Sequence, residues 1–456
     1  MRTRTLLRIA VPCMGAVLLT ACGGGSSGSD SASAAFTWVG GSNTANAQGV
    51  YGTRGVAAST NVPGARDSAA SWTDASGDLW LFGGGVYDST GTEGALNDLW
   101  EYSPSSGTWT WVGGSSTANA QGVYGTQGVA AATNVPGARF NAASWTDASG
   151  NLWLFGGRVG SGPTWLNDLW EYAPSSGTWT WVGGSNTANA LGVYGNPGVA
   201  AATNVPGARD SAASWTDASG DLWLFGGTVY QSTGGGGIQN DLWKYSPSSG
   251  TWTCVGGSFI VGAKGVYGTQ GVAATTNVPG ARENAASWTD ASGNLWLFGG
   301  YGFDSTGTEY DLNDLWEYSP SSGTWTWISG SSTVSAASTN VPGARDSAAS
   351  WTDASGNLWL FGGSGYDFSG NEGLLNDLWE YSPSSGAWTW VGGSNTAYAP
   401  LYGIQGGAAA TNLPGARENA ASWTDASGNL WLFGGFGLDS AGNEGPLNDL
   451  WKYPTQ

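Results

Sequence analysis

From residue 36 onward the chain alternates between short apolar, aromatic-rich runs and clusters of Gly, Ser, Asp and Pro. The runs have strand length and are too short for helices. In the first full unit they span 69–73, 78–82, 98–102 and 108–112, here runs A to D. Between A and B, Asp74-Ala75-Ser76-Gly77 suits a tight hairpin, because Asp can hydrogen-bond nearby backbone and Gly supplies a positive φ. Between C and D, Pro104 presets φ and Gly107 closes the turn. The pattern predicts four antiparallel strands.

The unit recurs. PGAR stands at Pro63, Pro136, Pro206, Pro279, Pro342 and Pro414, each copy leading into SWTDASG, LWLFGG, a variable segment and NDLW. A four-stranded meander repeated six times predicts an all-β, six-bladed β-propeller. The last unit stops at Trp451-Lys452-Tyr453-Pro454, where its own D should begin. A D-like segment without preceding A, B or C lies instead at residues 36–42. The N-terminal strand is therefore expected to complete the last blade and close the ring.

Phe82-Gly83-Gly84, followed by Trp100, Tyr102 and Trp109, resembles the kelch motif, and the likeness extends over nearly all of residues 36–456. Units of 63 to 73 residues exceed the kelch length, and the His often found soon after the Arg is absent.

Composition narrows the function. The chain of 456 residues holds 78 Gly and 29 Trp, carries a net charge of −19 and has no His. So acidic a surface repels phosphate backbones, and no nucleic-acid partner is expected. Without His, serine–histidine triads and His-based zinc sites are excluded. So is the copper chemistry of galactose oxidase, a kelch-domain enzyme. No cofactor is expected.

Arg2, Arg4 and Arg8 precede an apolar run over 9–19, too short to span a bilayer, so residues 1–21 read as a secretion signal. Leu19-Thr20-Ala21-Cys22 resembles the lipobox of bacterial lipoproteins, in which the cysteine is acylated. That resemblance implies lipidation at Cys22, a Gly/Ser tether over 22–35 and, with Gly23 next, the outer membrane or cell surface. The mature chain would meet the membrane through this anchor only, as a monomer.

Five Trp recur per full unit, as Trp72, Trp80, Trp100, Trp109 and Trp111, and are expected to pack between blades. Trp165, in the B–C loop of unit two, fits no repeat position and is expected to be exposed, a candidate ligand platform. Cys254 takes a Trp position in run D and reads as a buried filler. Arg66, Arg139, Arg209, Arg282, Arg345 and Arg417 are expected to pair with the NDLW aspartates as a structural ring, with an anion site as the alternative. The following residues Asp67, Asp210, Glu283, Asp346 and Glu418 are candidates for circling one channel mouth and meeting a cation or polyhydroxylated ligand, with solvated loop acids as the bland reading. Asp88, Glu93 and Asp98 are weak calcium candidates, a spacing repeated at Asp304 and Asp439. Five D–A connectors carry a Tyr-Gly step, as at Tyr124-Gly125, and the connector 331–341 lacks it. These connectors and the B–C loops are where binding is expected.

The expected function is a non-catalytic module that binds a protein or a glycan through its loops. Because some kelch propellers are sugar epimerases or mutarotases, a His-independent carbohydrate-active enzyme is the alternative, beside a structural envelope role.

Overall fold

The computed structural model describes residues 35–87, 93–160, 162–333, 341–409 and 411–455. Among them there is no helix, and the strands pair antiparallel. Strand β1 (Thr37–Gly40) precedes the first unit. That unit holds β2 (Arg66–Asp67), β3 (Ala70–Thr73), β4 (Leu79–Phe82), β5 (Gly85–Tyr87), β6 (Glu93–Ala95), β7 (Leu99–Ser103) and β8 (Thr108–Gly113). β3, β4, β7 and β8 form one sheet in that order, with Trp72 opposite Trp80, Leu81 opposite Trp100 and Tyr102 opposite Trp109. These strands match runs A to D. Five sheets have this four-stranded form, and the fifth unit carries a five-stranded one, because Leu358–Tyr366 and Glu372–Ser382 run on unbroken. Such sheets are those from which β-propeller blades are built.

The B–C segment, expected as a variable loop, is largely a second small sheet of β2, β5 and β6. Its direction is set by Gly83 and Gly84, at φ +67° and +103°. A Cβ on Gly83 would come within 2.6 Å of the Arg139 carbonyl in the next unit, and Gly84 N–H donates to that same oxygen at 3.0 Å. Glycine is required here by both backbone conformation and close approach.

Six core clusters each draw on two neighbouring repeats, one of them joining the sixth to the first. Trp80 packs on Tyr172 of the next unit at 5.4 Å, and Tyr102 on Trp431 at the same separation. Half-buried Thr73 and its counterparts link β3 to the equivalent strands of neighbouring units. Thr73 Oγ1 donates to Thr424 O, Thr146 to Thr73, Thr216 to Thr146, Thr289 to Thr216, Thr352 to Thr289 and Thr424 to Thr352, all at 3.0–3.2 Å. β1 pairs with Leu450–Tyr453, placing Thr37 opposite Lys452 and Trp38 opposite Trp451, with Phe36 and Trp38 buried.

The connectors do not project as free loops. Each of five folds back on the outer strand of its own unit, through Gly55 N–H to Trp111 O, Gly128 to Trp181, Gly198 to Cys254, Gly271 to Trp327 and Gly406 to Trp38, at 2.7–2.9 Å. The outer edges are thereby covered.

Candidate functional site

Five of the PGAR arginines open the two-residue strands equivalent to β2, and Arg139 stands at the same place in unit two without a strand; each partner aspartate directly precedes the Leu-Trp step of its own unit's third long strand. Arg66 Nη1 and Nη2 donate to Asp98 Oδ1 and Oδ2 at 2.8 Å, while Nε and Nη1 also reach the Gly64 and Gly83 carbonyls. Arg139–Asp168, Arg209–Asp241, Arg282–Asp314, Arg345–Asp377 and Arg417–Asp449 repeat the fork at 2.6–2.7 Å closest approach. All six guanidiniums are buried. Asp98 Oδ2 further accepts from Trp100 Nε1 and the Tyr51 hydroxyl, both at 2.7 Å. Burial, then the Asp98 charge, drives the Tyr51 hydroxyl far above its ordinary range, so it stays a donor. With their donors so engaged, these arginines do not line a surface an anion can reach.

The acids one residue on sit in a different setting. The residue after each, namely Ser68, Asn141, Ser211, Asn284, Ser347 and Asn419, is left-handed with φ of 54–58°. Ser68 N–H donates to Asn419 O, Asn141 to Ser68, Ser211 to Asn141, Asn284 to Ser211, Ser347 to Asn284 and Asn419 to Ser347, at 2.9–3.0 Å. Asp67, Asp210, Glu283, Asp346 and Glu418 flank this cycle of bonds at equivalent positions, with Phe140 in unit two. Burial pushes the Asp67 carboxyl up to about 6, against a donation from Ser68 Oγ. Burial and then the Glu283 charge push Asp210 up to about 7, against donation from Trp165 Nε1. Glu283 Oε2 accepts from Thr228 Oγ1. Carboxyls poised near neutrality can hold or release a proton, or meet a hydroxylated ligand.

Trp165 is buried, not exposed: it is 5% accessible. Its indole N–H donates to Asp210 Oδ1 at 3.0 Å, and the Arg158 guanidinium lies 5.4 Å over its ring. Its ring lies 6.3 Å from that of Tyr230 in the next unit, and it cannot serve as a free stacking platform. Cys254 is fully buried, and its thiol is pushed up to about 12 by burial. Asp98 is held inside the arginine network and is unavailable to calcium. Asp88 lies outside the described residues, as do Cys22 and the segment 1–34, while Glu93 begins β6. Asp304 and Asp439 instead tie their own hairpins, Asp304 Oδ1 accepting from Thr306 N and Thr308 N and Asp439 Oδ1 from Ala441 N and Asn443 N.

One acidic cluster was not anticipated. Oxygens of Asp74, Asp78 and Glu101 come within 4.8 Å of one another, and burial, then Asp78 and Asp74, raises Glu101. The third unit has Asp217, Asp221 and Lys244 at these positions, and Lys244 Nζ lies 2.8 Å from Asp221. Comparing the units position by position would have exposed this difference. No protein-family model matches the chain, and neither does any curated protein.

Proposed function

We propose that the chain is a six-bladed propeller of the kelch kind, closed by its N-terminal strand, exported, lipidated at Cys22 and tethered to the outer membrane as a non-catalytic binding module for a protein or glycan. Closure is supported by the pairing of β1 with Leu450–Tyr453 and by the threonine bonds that return from Thr424 to Thr73. The anchor rests on the lipobox resemblance.

The binding reading rests on where apolar surface is left in the open. Apart from Tyr310, Phe368 and Trp390, every exposed large apolar side chain among the described residues lies in the connectors, as with Val50, Val56, Val123, Val129 and Ile404. Apolar surface gathered on rigidly pinned segments marks an interaction site. The test is a glycan array beside capture of envelope partners by the mature protein. Binding lost on replacing Val50, Val56, Val123 and Val129 by Ser supports the reading, and undiminished binding defeats it. A carbohydrate-active enzyme is the second reading, favoured by the near-neutral Asp67 and Asp210 carboxyls. Turnover of free sugars that disappears in Asp210→Asn would establish it in place of the first.

A further inference from the structure

We propose that the fifth blade carries a receptor site for a tyrosine side chain presented by a partner polypeptide. The inference rests on the binding-module reading and names its site and ligand.

The other five blades show what this place holds. In each, a connector tyrosine lies over the blade's outer strands and gives its hydroxyl to the NDLW aspartate. These bonds are Tyr51 to Asp98, Tyr124 to Asp168, Tyr194 to Asp241, Tyr267 to Asp314 and Tyr402 to Asp449, at 2.5–3.3 Å. In four of them the ring fits between two indoles, while Tyr194 lies against Trp243 and Phe259. Tyr51 lies 4.9 Å from Trp100 and 5.1 Å from Trp111, and Tyr124 and Tyr267 repeat this on Trp170 and Trp181 and on Trp316 and Trp327.

The fifth unit has the socket without the tyrosine. Its connector, 331–341, contains no Tyr and is ten residues shorter than its counterpart 42–62. Among the described residues, Asp377 Oδ2 accepts from Arg345 Nη2 and Trp379 Nε1 and from no hydroxyl, and its side chain is 10% exposed where the other five aspartates are at 0%. Trp390, the counterpart of Trp111, is 47% exposed. Among the described residues, the indole bonds that Trp111, Trp181 and Trp327 make to the Gly113, Gly183 and Ser329 carbonyls have no equivalent at Trp390. Phe368 lies parallel to Trp379 at 6.4 Å and is itself exposed, adding a third aromatic wall. Two indoles, a phenyl ring and a carboxylate oxygen with spare acceptor capacity thus surround a place that a phenol fills in five sister blades. A sugar ring could stack on Trp390, but nothing in the sister blades selects for it. The internal copies select a phenol on a Tyr-Gly backbone.

The probe is a synthetic peptide copying residues 45–58 of this chain, titrated into the full mature protein by calorimetry. Saturable binding is expected. It should weaken about tenfold or more when the peptide tyrosine becomes phenylalanine, as for loss of a hydrogen bond to a charged acceptor. Trp390→Ala in the protein should abolish it, as should insertion of a copy of 45–54 after Thr333, which fills the socket from within and should raise thermal stability. Equal binding to wild type and Trp390→Ala, or none at millimolar peptide, overturns the proposal. So does a Trp390-dependent glycan that the peptide cannot displace. If envelope partners are still captured by Trp390→Ala while the peptide fails to bind, this site falls and the module reading stands. If nothing is captured by either protein, the module reading falls as well.

Discussion

Replacing Asp168 by Ala is predicted to destabilise the protein more than the same change at Asp377. Asp168 Oδ1 and Oδ2 hold Arg139, and Oδ2 also accepts from Tyr124 and Trp170. With the carboxylate gone, a guanidinium only 1% exposed keeps just the Gly137 and Gly156 carbonyls, and two neutral donors are orphaned. Breaking a buried pair by removing one partner costs about 3–5 kcal/mol. Orphaned donors each cost about 1–3 kcal/mol, and since all share one network the sum is not additive. A loss of at least ~4 kcal/mol is expected for Asp168→Ala. Asp377 has no tyrosine to orphan and its side chain is 10% exposed, so the lower end of that range, about 3 kcal/mol, is expected there. Urea unfolding followed by tryptophan fluorescence, with unchanged slope, gives both numbers. Replacing the whole pair, as in Arg139→Met with Asp168→Leu, should recover most of the loss. The reasoning is refuted if Asp168→Ala costs under about 1 kcal/mol, or if Asp377→Ala costs more.

Further outcomes follow from the same geometry. Gly156→Ala should cost about 1–3 kcal/mol more than Gly128→Ala in thermal melts. Both glycines are left-handed, but only Gly156 would drive a Cβ to 2.7 Å from the Arg209 carbonyl. Asp210, raised to about 7 by burial and Glu283, binds its proton more tightly folded than unfolded. Its contribution is therefore fully present below the unfolded value near 4 and is lost as pH rises through about 7. Asp210→Asn should accordingly gain stability over wild type at pH 8, by up to a few kcal/mol, with the gain vanishing near pH 4, as read from urea midpoints. Trp165→Ala should lose about 3–5 kcal/mol as a core truncation in the same assay, whereas an exposed tryptophan would lose almost nothing.

Much of this architecture was legible because repetition multiplies weak signals. A single ASWT or LWLF run says little, but six copies at fixed order fix the sheet, and the stray Thr37-Trp38-Val39 segment declares its partner by matching the missing last strand. The Arg66–Asp98 fork was readable from one Arg and one Asp per unit. What was hidden depends on contacts between segments of no strong local preference. Gly85-Val86-Tyr87 is too short to read as a strand, yet its partners β2 and β6 make it one. Connector residues such as Tyr51 and Gly55 look like loop sequence, and only the fold shows them pinned beside Trp111 and Asp98. Trp165 departs from the repeat pattern yet stays in the core, because its partners Asp210 and Tyr230 come from the next unit, which its own position in the chain does not reveal. Asp74, Asp78 and Glu101 meet because a hairpin turn abuts the third strand of the same sheet, a relation that separation along the chain conceals.

The account depends most on the first strand joining the last blade. Thermal unfolding of the protein lacking residues 36–42, with and without a peptide of those seven residues, tests this directly. Loss of buried Phe36 and Trp38 should lower the midpoint by on the order of 5–10 °C, and the added peptide should restore it. A midpoint unmoved by the deletion would contradict the closure on which the rest is built.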